Sequence, residues 1–230
     1  MEPTRVEVEA VVDAEAAARR AADLIARAGR EAVAARGKFA VALSGGRTPW
    51  RMLELLASSD LDWGRARAYQ VDERVAPPGS DARNLTHLVL ALPLELQASL
   101  RPMPVDADDL TAAADRYAAD LPAPLDVVHL GLGPDGHTAS LVPGDPVLEV
   151  ADRPVGLTAG EYQGHRRMTL TYPAINAARR ILFLVTGADK REALARLLAG
   201  DRGIPAGRVE RQRTLIVADD AALGQAGGSV

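Results

Sequence analysis

Apolar and polar residues alternate along this chain with two periods, two and roughly 3.6, that take turns from one end to the other. Val6, Val8 and Val12 alternate with polar neighbours and predict a first strand. The alanine-rich residues 14–35 read as one long helix, with Asp13 placed to cap its free amides. The run 39–43, FAVAL, predicts a short buried strand, and residues 50–57 a helix with Pro49 in its first turn, where no amide is needed. Residues 66–71 predict another strand, 84–92 a helix carrying His87, and 109–121 a helix whose acidic start suits its dipole. The apolar run 125–130 is a buried strand that takes His129 into the core. Residues 154–157 and 167–171 read as short strands, 172–178 as a brief helix and 180–186 as a strongly apolar strand, with a helix from Lys190 to about residue 199. Residues 215–217 supply a last strand, Asp219 and Asp220 open a terminal helix, and residues 224–230 are expected to fray. Residues 93–104, and most of 145–164, carry no period and are expected to be irregular.

Strands alternating with helices over the whole length imply an α/β protein, a layered α/β/α domain with a mainly parallel sheet. No repeat or extended low-complexity segment interrupts the order, so residues 1–230 are expected to form one domain, with room for a small lobe. Four of the strands end in polar or glycine-rich loops, SGGRTP, DER, GPDGH and TGADK. Parallel strands bring such loops to one edge of the sheet, the edge where ligands bind. The DER run taken alone is the solvated start of a loop; the alternative is an ion-paired site edge with residues 75–84 as its rim.

Charge narrows the partners. With 31 acidic and 27 basic residues the formal net charge is −4, and no overall basic field exists for nucleic acid. An anionic ligand therefore needs local cations. Lys38 and Lys190 are the only lysines, and the arginine bias reflects genome composition. No apolar run approaches the ~20 residues of a membrane span, and MEPTRVEVEA resembles no signal peptide, so a cytoplasmic protein with no membrane contact is expected. The absence of cysteine excludes disulfides and thiolate metal sites and fits a reducing compartment. No exposed apolar stripe is legible, from which a monomer is expected.

The strand 125–130 breaks into Gly131, Gly133 and Gly136 and delivers Asp135 and His137. GLGPDG fits the letters of a dinucleotide fingerprint, and Asp152 follows at about the right distance. Pro134 inside the turn and Pro143, Gly144 and Pro146 beyond it forbid the long helix that would hold a pyrophosphate. What remains is a carboxylate and an imidazole at a strand end, as a general base requires. Ser44, Gly45 and Gly46, between a strand and a helix, form either an anion cradle or a plain tight turn; the Walker ending is missing. Lys190 at a helix start is a misplaced cation unless an anion or Asp189 compensates. Asp72, Arg74 and either Arg47 or Arg167 complete the edge, while His87 and His129 are expected to be structural. There is no metal-ligand spacing and no Gly-x-Ser-x-Gly elbow, although Ser44 as a nucleophile served by His137 stays open. One base and several cations without a metal suit acid/base chemistry at a carbonyl centre of a phosphorylated small molecule.

In order and spacing, LSGGRTP, VDER, LGLGPDGHTASLVPG, RMTLT with Tyr172-Pro173 after it, and LVTGADKREAL resemble the successive motifs of the 6-phosphogluconolactonases, over residues 39–198. The GPDGHTASLVPG block is the most specific of them. The resemblance implies the fold shared with glucosamine-6-phosphate deaminases and ribose-5-phosphate isomerases. It also implies cofactor-free hydrolysis of 6-phospho-D-glucono-1,5-lactone to 6-phosphogluconate, the second step of the oxidative pentose phosphate pathway. His137 would be the base, Arg74 and Lys190 would serve substrate or phosphate binding, and Ser44, Gly45 and Gly46 match the family's loop. Val142 stands where Phe is more usual, and Arg47 where a small residue is common. In the mechanism this suggests, His137 takes a proton from water, Asp135 or Asp72 orients the imidazole or the water, and Arg167 joins the cations that hold the substrate.

Two other readings differ at named positions. Glucosamine-6-phosphate deaminases carry Phe-Asn-Glu-Pro-Gly after the histidine block and a tyrosine after the acidic pair, where this chain has residues 140–144, SLVPG, and Arg74. A non-catalytic sugar-phosphate sensor would need a DNA-binding module, and no basic helix-turn-helix segment is legible.

Overall fold

Strand residues divide between two cores according to the parity of their position, and the division runs through the whole structure, a computed structural model. It describes residues 6–225, apart from the side chains of Arg47 and Glu95. In chain order the elements are β1 (Glu7–Val11), α1 (Ala14–Arg36), β2 (Phe39–Leu43), α2 (Arg47–Ala57), β3 (Ala66–Gln70), β4 (Asp72–Arg74), α3 (Asn84–Ala91), α4 (Leu94–Gln97) and β5 (Leu100–Arg101). There follow α5 (Leu110–Asp120), β6 (Val127–Leu130), β7 (Val155–Leu157), β8 (Arg167–Leu170), α6 (Tyr172–Ala177), β9 (Arg180–Val185), α7 (Arg191–Leu198), β10 (Thr214–Asp219) and α8 (Asp220–Leu223).

Seven strands form a wholly parallel sheet in the order β1-β10-β9-β6-β2-β3-β5. In β9, Ile181, Phe183 and Val185 join Val128 and Leu130 of β6 on one face, with Tyr117 of α5 and Leu194 of α7. Leu182 and Leu184 join Val41 and Leu43 on the other, under Ile25 of α1 and Met52 and Leu53 of α2. Both faces are covered, which is why these strands read as continuous apolar runs. A second, antiparallel sheet, β4-β8-β7, packs Val155, Met168 and Leu170 into the first of these cores. The layered α/β/α arrangement with a mainly parallel sheet is the one the pattern predicts.

Local differences have local causes. α1 is capped as expected, the Asp13 carboxylate accepting from Ala16 N at 2.8 Å. α2 starts at Arg47, ahead of the predicted Trp50, because Gly46 serves as its N-cap at φ 123°. Residues 93–104 are not wholly irregular: α4 and the two-residue β5 lie there, both too short to show a period. In the first strand Val6 is buried but Val8 is 38% and Val12 69% exposed, so the alternation there marks a sheet edge and not a core face. Val89, Leu90 and Leu94 are also exposed, Leu90 at 82%. The expected fraying falls, beyond Gln225, outside the described residues.

Candidate active site

The chain leaves β2 toward β3 and β5 in one direction, and β6 toward β9 and β10 in the other. Between β2 and β6 the sense of winding reverses, and the carboxyl ends of these neighbours open a crevice. A cavity of about 540 Å³ lies there, lined by the turn after β2, the glycine loop after β6, the start of β4, and Thr186, Asp189 and Lys190 after β9. All four loops singled out in the sequence therefore converge, with Arg167 and Gln163 closing the cavity from the small sheet.

The glycine loop exists to seat one imidazole. Gly133 N donates to His137 O at 2.8 Å and Gly136 N to Gly133 O at 3.0 Å, while Thr138 Oγ1 donates back to Gly131 O at 2.8 Å. A Cβ on Gly133 would lie 1.9 Å from His137 Nδ1, so any other residue there displaces the imidazole. Asp135 Oδ1 accepts from His137 Nδ1 at 2.5 Å and from His137 N at 3.2 Å. That contact assigns the ring proton to Nδ1 and leaves the Nε2 lone pair for a substrate. Burial opposes ionisation of Asp135, but the His137 side chain, the His137 amide and the Tyr162 hydroxyl together hold its carboxyl well below the usual carboxylate range. The dyad is thus a carboxylate beside an imidazole, the arrangement the sequence suggested.

The opposite wall is cationic. Arg74 and Arg167 are register partners of β4 and β8, which places two guanidinium groups side by side. Arg74 Nη1 donates to Ala82 O at 2.8 Å and to Asn84 Oδ1 at 3.0 Å. Arg167 is 4% exposed, its Nη1 3.9 Å from Asp72 Oδ2, and the Nε atoms of both arginines are buried without a hydrogen-bond partner. Burial and then the charge of Arg74 depress the Arg167 pKa, so an anion entering between them relieves both effects. Lys190 Nζ lies 3.1 Å from Asp189 Oδ2, which supplies the compensation its position requires. On the β2 side, Gly46 gives α2 no side-chain cap, and its first-turn amides are open to an anion. Gly45 packs so tightly that a Cβ would meet Asn84 Oδ1 at 2.1 Å.

Several expected roles resolve differently. The DER run is not a solvated loop start. After Val71 the chain changes sheets, and Glu73, fully buried, accepts from Asn84 N and Leu85 N at 2.7 Å each and so caps α3. Asp72 does not bond to His137; its carboxylate takes Ser140 Oγ at 2.6 Å and Asn84 Nδ2 at 3.3 Å, tying the β4 wall to the loop after His137. Ser44 Oγ, entertained as a nucleophile, donates to His129 O at 2.9 Å. His129 is fully buried, which pushes its pKa down to about 4, and the His87 ring lies against Trp50 at 5.3 Å with the planes tilted by 34°; neither lines the cavity.

Sequence reasoning missed Tyr162, whose hydroxyl donates to Asp135 Oδ2 at 3.0 Å, and Gln163 beside it. They sit on a hairpin closed by the Tyr162–His165 bridge, with positive φ at Gln163 (53°) and Gly164 (80°). The Gln-Gly pair was the available signal, since two-residue hairpins favour a residue tolerant of positive φ before glycine.

An open parallel α/β sheet with a polar cavity at its switch point defines a class, the α/β proteins that bind small molecules at the carboxyl ends of their strands. Within it, the chain belongs to the family of glucosamine-6-phosphate isomerases/6-phosphogluconolactonase, whose pattern matches residues 12–217. It is 36% identical over 234 residues to the 6-phosphogluconolactonase of Nostoc sp., covering 94% of this chain and 96% of that protein. To the 6-phosphogluconolactonase of Synechocystis sp. it is 38% identical over 202 residues, 80% of this chain and 82% of the other. The crystal structure of 6-phosphogluconolactonase from Thermotoga maritima superposes with a TM-score of 0.83 at 25% identity, over 93% of this chain and 98% of its own. A monomeric glucosamine-6-phosphate deaminase superposes with a TM-score of 0.82 at 20% identity, over 96% of this chain and all of its own, a likeness of fold alone.

Proposed function

We propose that this chain is a cytoplasmic 6-phosphogluconolactonase, hydrolysing 6-phospho-D-glucono-1,5-lactone to 6-phosphogluconate with His137 as general base. The observation that carries the mechanism is the Asp135–His137 pair, 2.5 Å apart, on a cavity whose other wall holds Arg74, Arg167 and Lys190. Arg167, Lys190 and the α2 amides anchor the phosphate, and the lactone carbonyl meets the imidazole. His137 Nε2 takes a proton from water as the water oxygen bonds to C1. Loop amides or Arg74 hold the resulting oxyanion. As the tetrahedral centre collapses, the C1–O5 bond breaks and the proton passes from His137 to the departing C5 oxygen. The acid formed at C1 then ionises. Asp135 keeps the imidazole in the Nδ1–H form throughout, and Asp72 holds the loop through Ser140. Water, imidazole and fixed cations suffice, so the scheme calls for no metal or cofactor.

The deaminase reading fits less well. Arg74 and residues 140–144 stand where those enzymes carry a tyrosine and a carboxylate. Hydrolysis of freshly generated lactone, coupled to reduction of a nicotinamide by 6-phosphogluconate dehydrogenase, tests the proposal. Acceleration over the spontaneous rate should survive a chelator, and His137→Asn should lower kcat by about 10²- to 10⁴-fold with phosphate-ester binding nearly intact. Equal loss of binding and turnover would refute the assignment of the base.

A further inference from the structure

The hairpin that carries Tyr162 occupies a stretch with no sequence period, yet its geometry is built around the dyad. Tyr162 N donates to His165 O at 3.0 Å, closing the two-residue turn, and Arg167 Nη2 donates to Tyr162 O at 2.9 Å. The Arg167 guanidinium also lies over the tyrosine ring, 5.5 Å from its centroid. The ring is thus fixed from two sides. It meets the imidazole of His137 edge-on, with centroids 5.2 Å apart and planes at 64°. Its hydroxyl reaches Asp135 Oδ2 at 3.0 Å and lies 3.3 Å from His137 Nδ1. Since Nδ1 already spends its proton on Asp135 Oδ1, the tyrosine proton goes to the other carboxylate oxygen.

We propose that Tyr162 is a positioning residue that completes a Tyr162–Asp135–His137 relay, and this rests on the reading of His137 as general base. Two effects follow from one hydroxyl. It fixes the rotation of the Asp135 carboxylate, so that Oδ1 points at Nδ1 and the Nε2 lone pair points at the substrate. It also shares the carboxylate's negative charge, which would otherwise fall wholly on His137 and favour the imidazolium, a form useless as a base. Burial and then Asp135 hold the Tyr162 pKa above its ordinary value, so the hydroxyl stays a donor through the neutral range. The charged groups that share the cavity with the dyad are Arg167 from β8, Asp72 and Arg74 from β4, and Asp189 and Lys190 after β9. Tyr162→Phe leaves all of them in place.

The test compares wild type, Tyr162→Phe and His137→Asn in lactone hydrolysis across pH, with thermal unfolding as a check on folding. Tyr162→Phe keeps the edge-on ring and removes only the hydroxyl. Its kcat should fall about three- to tenfold with KM little changed, the size of one typical net hydrogen bond felt through Asp135. The acid limb of its kcat–pH profile should move to higher pH, which loss of packing alone would not produce. Wild-type kcat and an unmoved profile would overturn the relay while leaving an inactive His137→Asn to support the base. A matched rise in KM with no change of profile would overturn it too, by making Tyr162 a substrate contact. If His137→Asn itself stays active, the base reading fails and the relay with it.

Discussion

The sheet has a cavity at each edge, and the larger one is not the candidate site. At the amino edge a cavity of about 720 Å³ is lined by Arg36, Lys38, Arg65, Arg67, Arg101 and Arg179. Most of that charge is neutralised locally: Asp126 pairs with Arg36 at 2.7 Å and Arg179 at 3.4 Å, Asp120 with Arg101 at 3.3 Å, and Asp62 with Arg65 at 3.2 Å. These arginines are also largely exposed, so water screens what remains. At the carboxyl edge the smaller cavity holds the buried Arg167 beside the half-buried Arg74, its register partner, and the Asp72 carboxylate stands off from Arg167 at 3.9 Å. On the proposed function, an anion gains little by entering the first cavity and much by entering the second. Volume does not distinguish a site from a surface hollow; charge held out of water without full compensation does.

The sharpest way to break the comparison is to spoil the carboxyl edge without touching a charge. Gly133→Ala places a methyl group only 1.9 Å from the present position of His137 Nδ1. The imidazole must leave Asp135, and kcat should drop by about 10²-fold or more, approaching the loss of the base itself. Retained kcat in a folded Gly133→Ala protein would show that His137 does not work from its present seat. A smaller effect separates the two edges directly. Arg167→Met should raise KM for the lactone about 10- to 100-fold, the value of one or two charge-assisted hydrogen bonds, and should not lower thermal stability much, since the lost charge was buried and partly unpaired. Arg67→Met, at the amino edge, should leave kcat/KM unchanged. Equal effects from both substitutions would erase the distinction between the edges.

How much of this is legible without coordinates depends on how local the signal is. Asp135 and His137 stand two residues apart in a loop whose glycines announce a tight turn, so both the pair and its position at a strand end can be read directly. The four loops are legible as a set because parallel strands leave topology little choice. Glu73 is not legible, because a buried carboxylate and a solvated one look alike in the string DER. Only the change of sheet after Val71 buries it, and that change depends on pairing with β8, nearly a hundred residues away. Asp72 fails for the same reason: its partner Ser140 is chosen by tertiary packing. Tyr162 lies in a segment where neither period holds, and its partner Asp135 precedes it by 27 residues.

The comparison can be drawn within the carboxyl edge itself, between two imidazoles. His137 faces the cavity and has a carboxylate beside it; His129, on the strand beneath, is fully buried, and its Nδ1 accepts only from Ser44 N, at 3.4 Å. Burial pushes the His129 pKa down to about 4, against 6.5 for a free histidine. Between those values the unfolded chain binds a proton that the folded one refuses. Stability from this group is therefore complete above about pH 6.5 and declines as pH falls toward 4, by up to about 1.4 kcal/mol per unit. His129→Asn retains an acceptor for Ser44 N and removes the titration. Its urea midpoint should be lower than wild type at neutral pH, through imperfect packing, yet should fall less steeply between pH 7 and pH 4.5. Parallel slopes in the two proteins would mean that His129 is solvated or paired in the folded state, and burial would then no longer be what separates a core histidine from a working one.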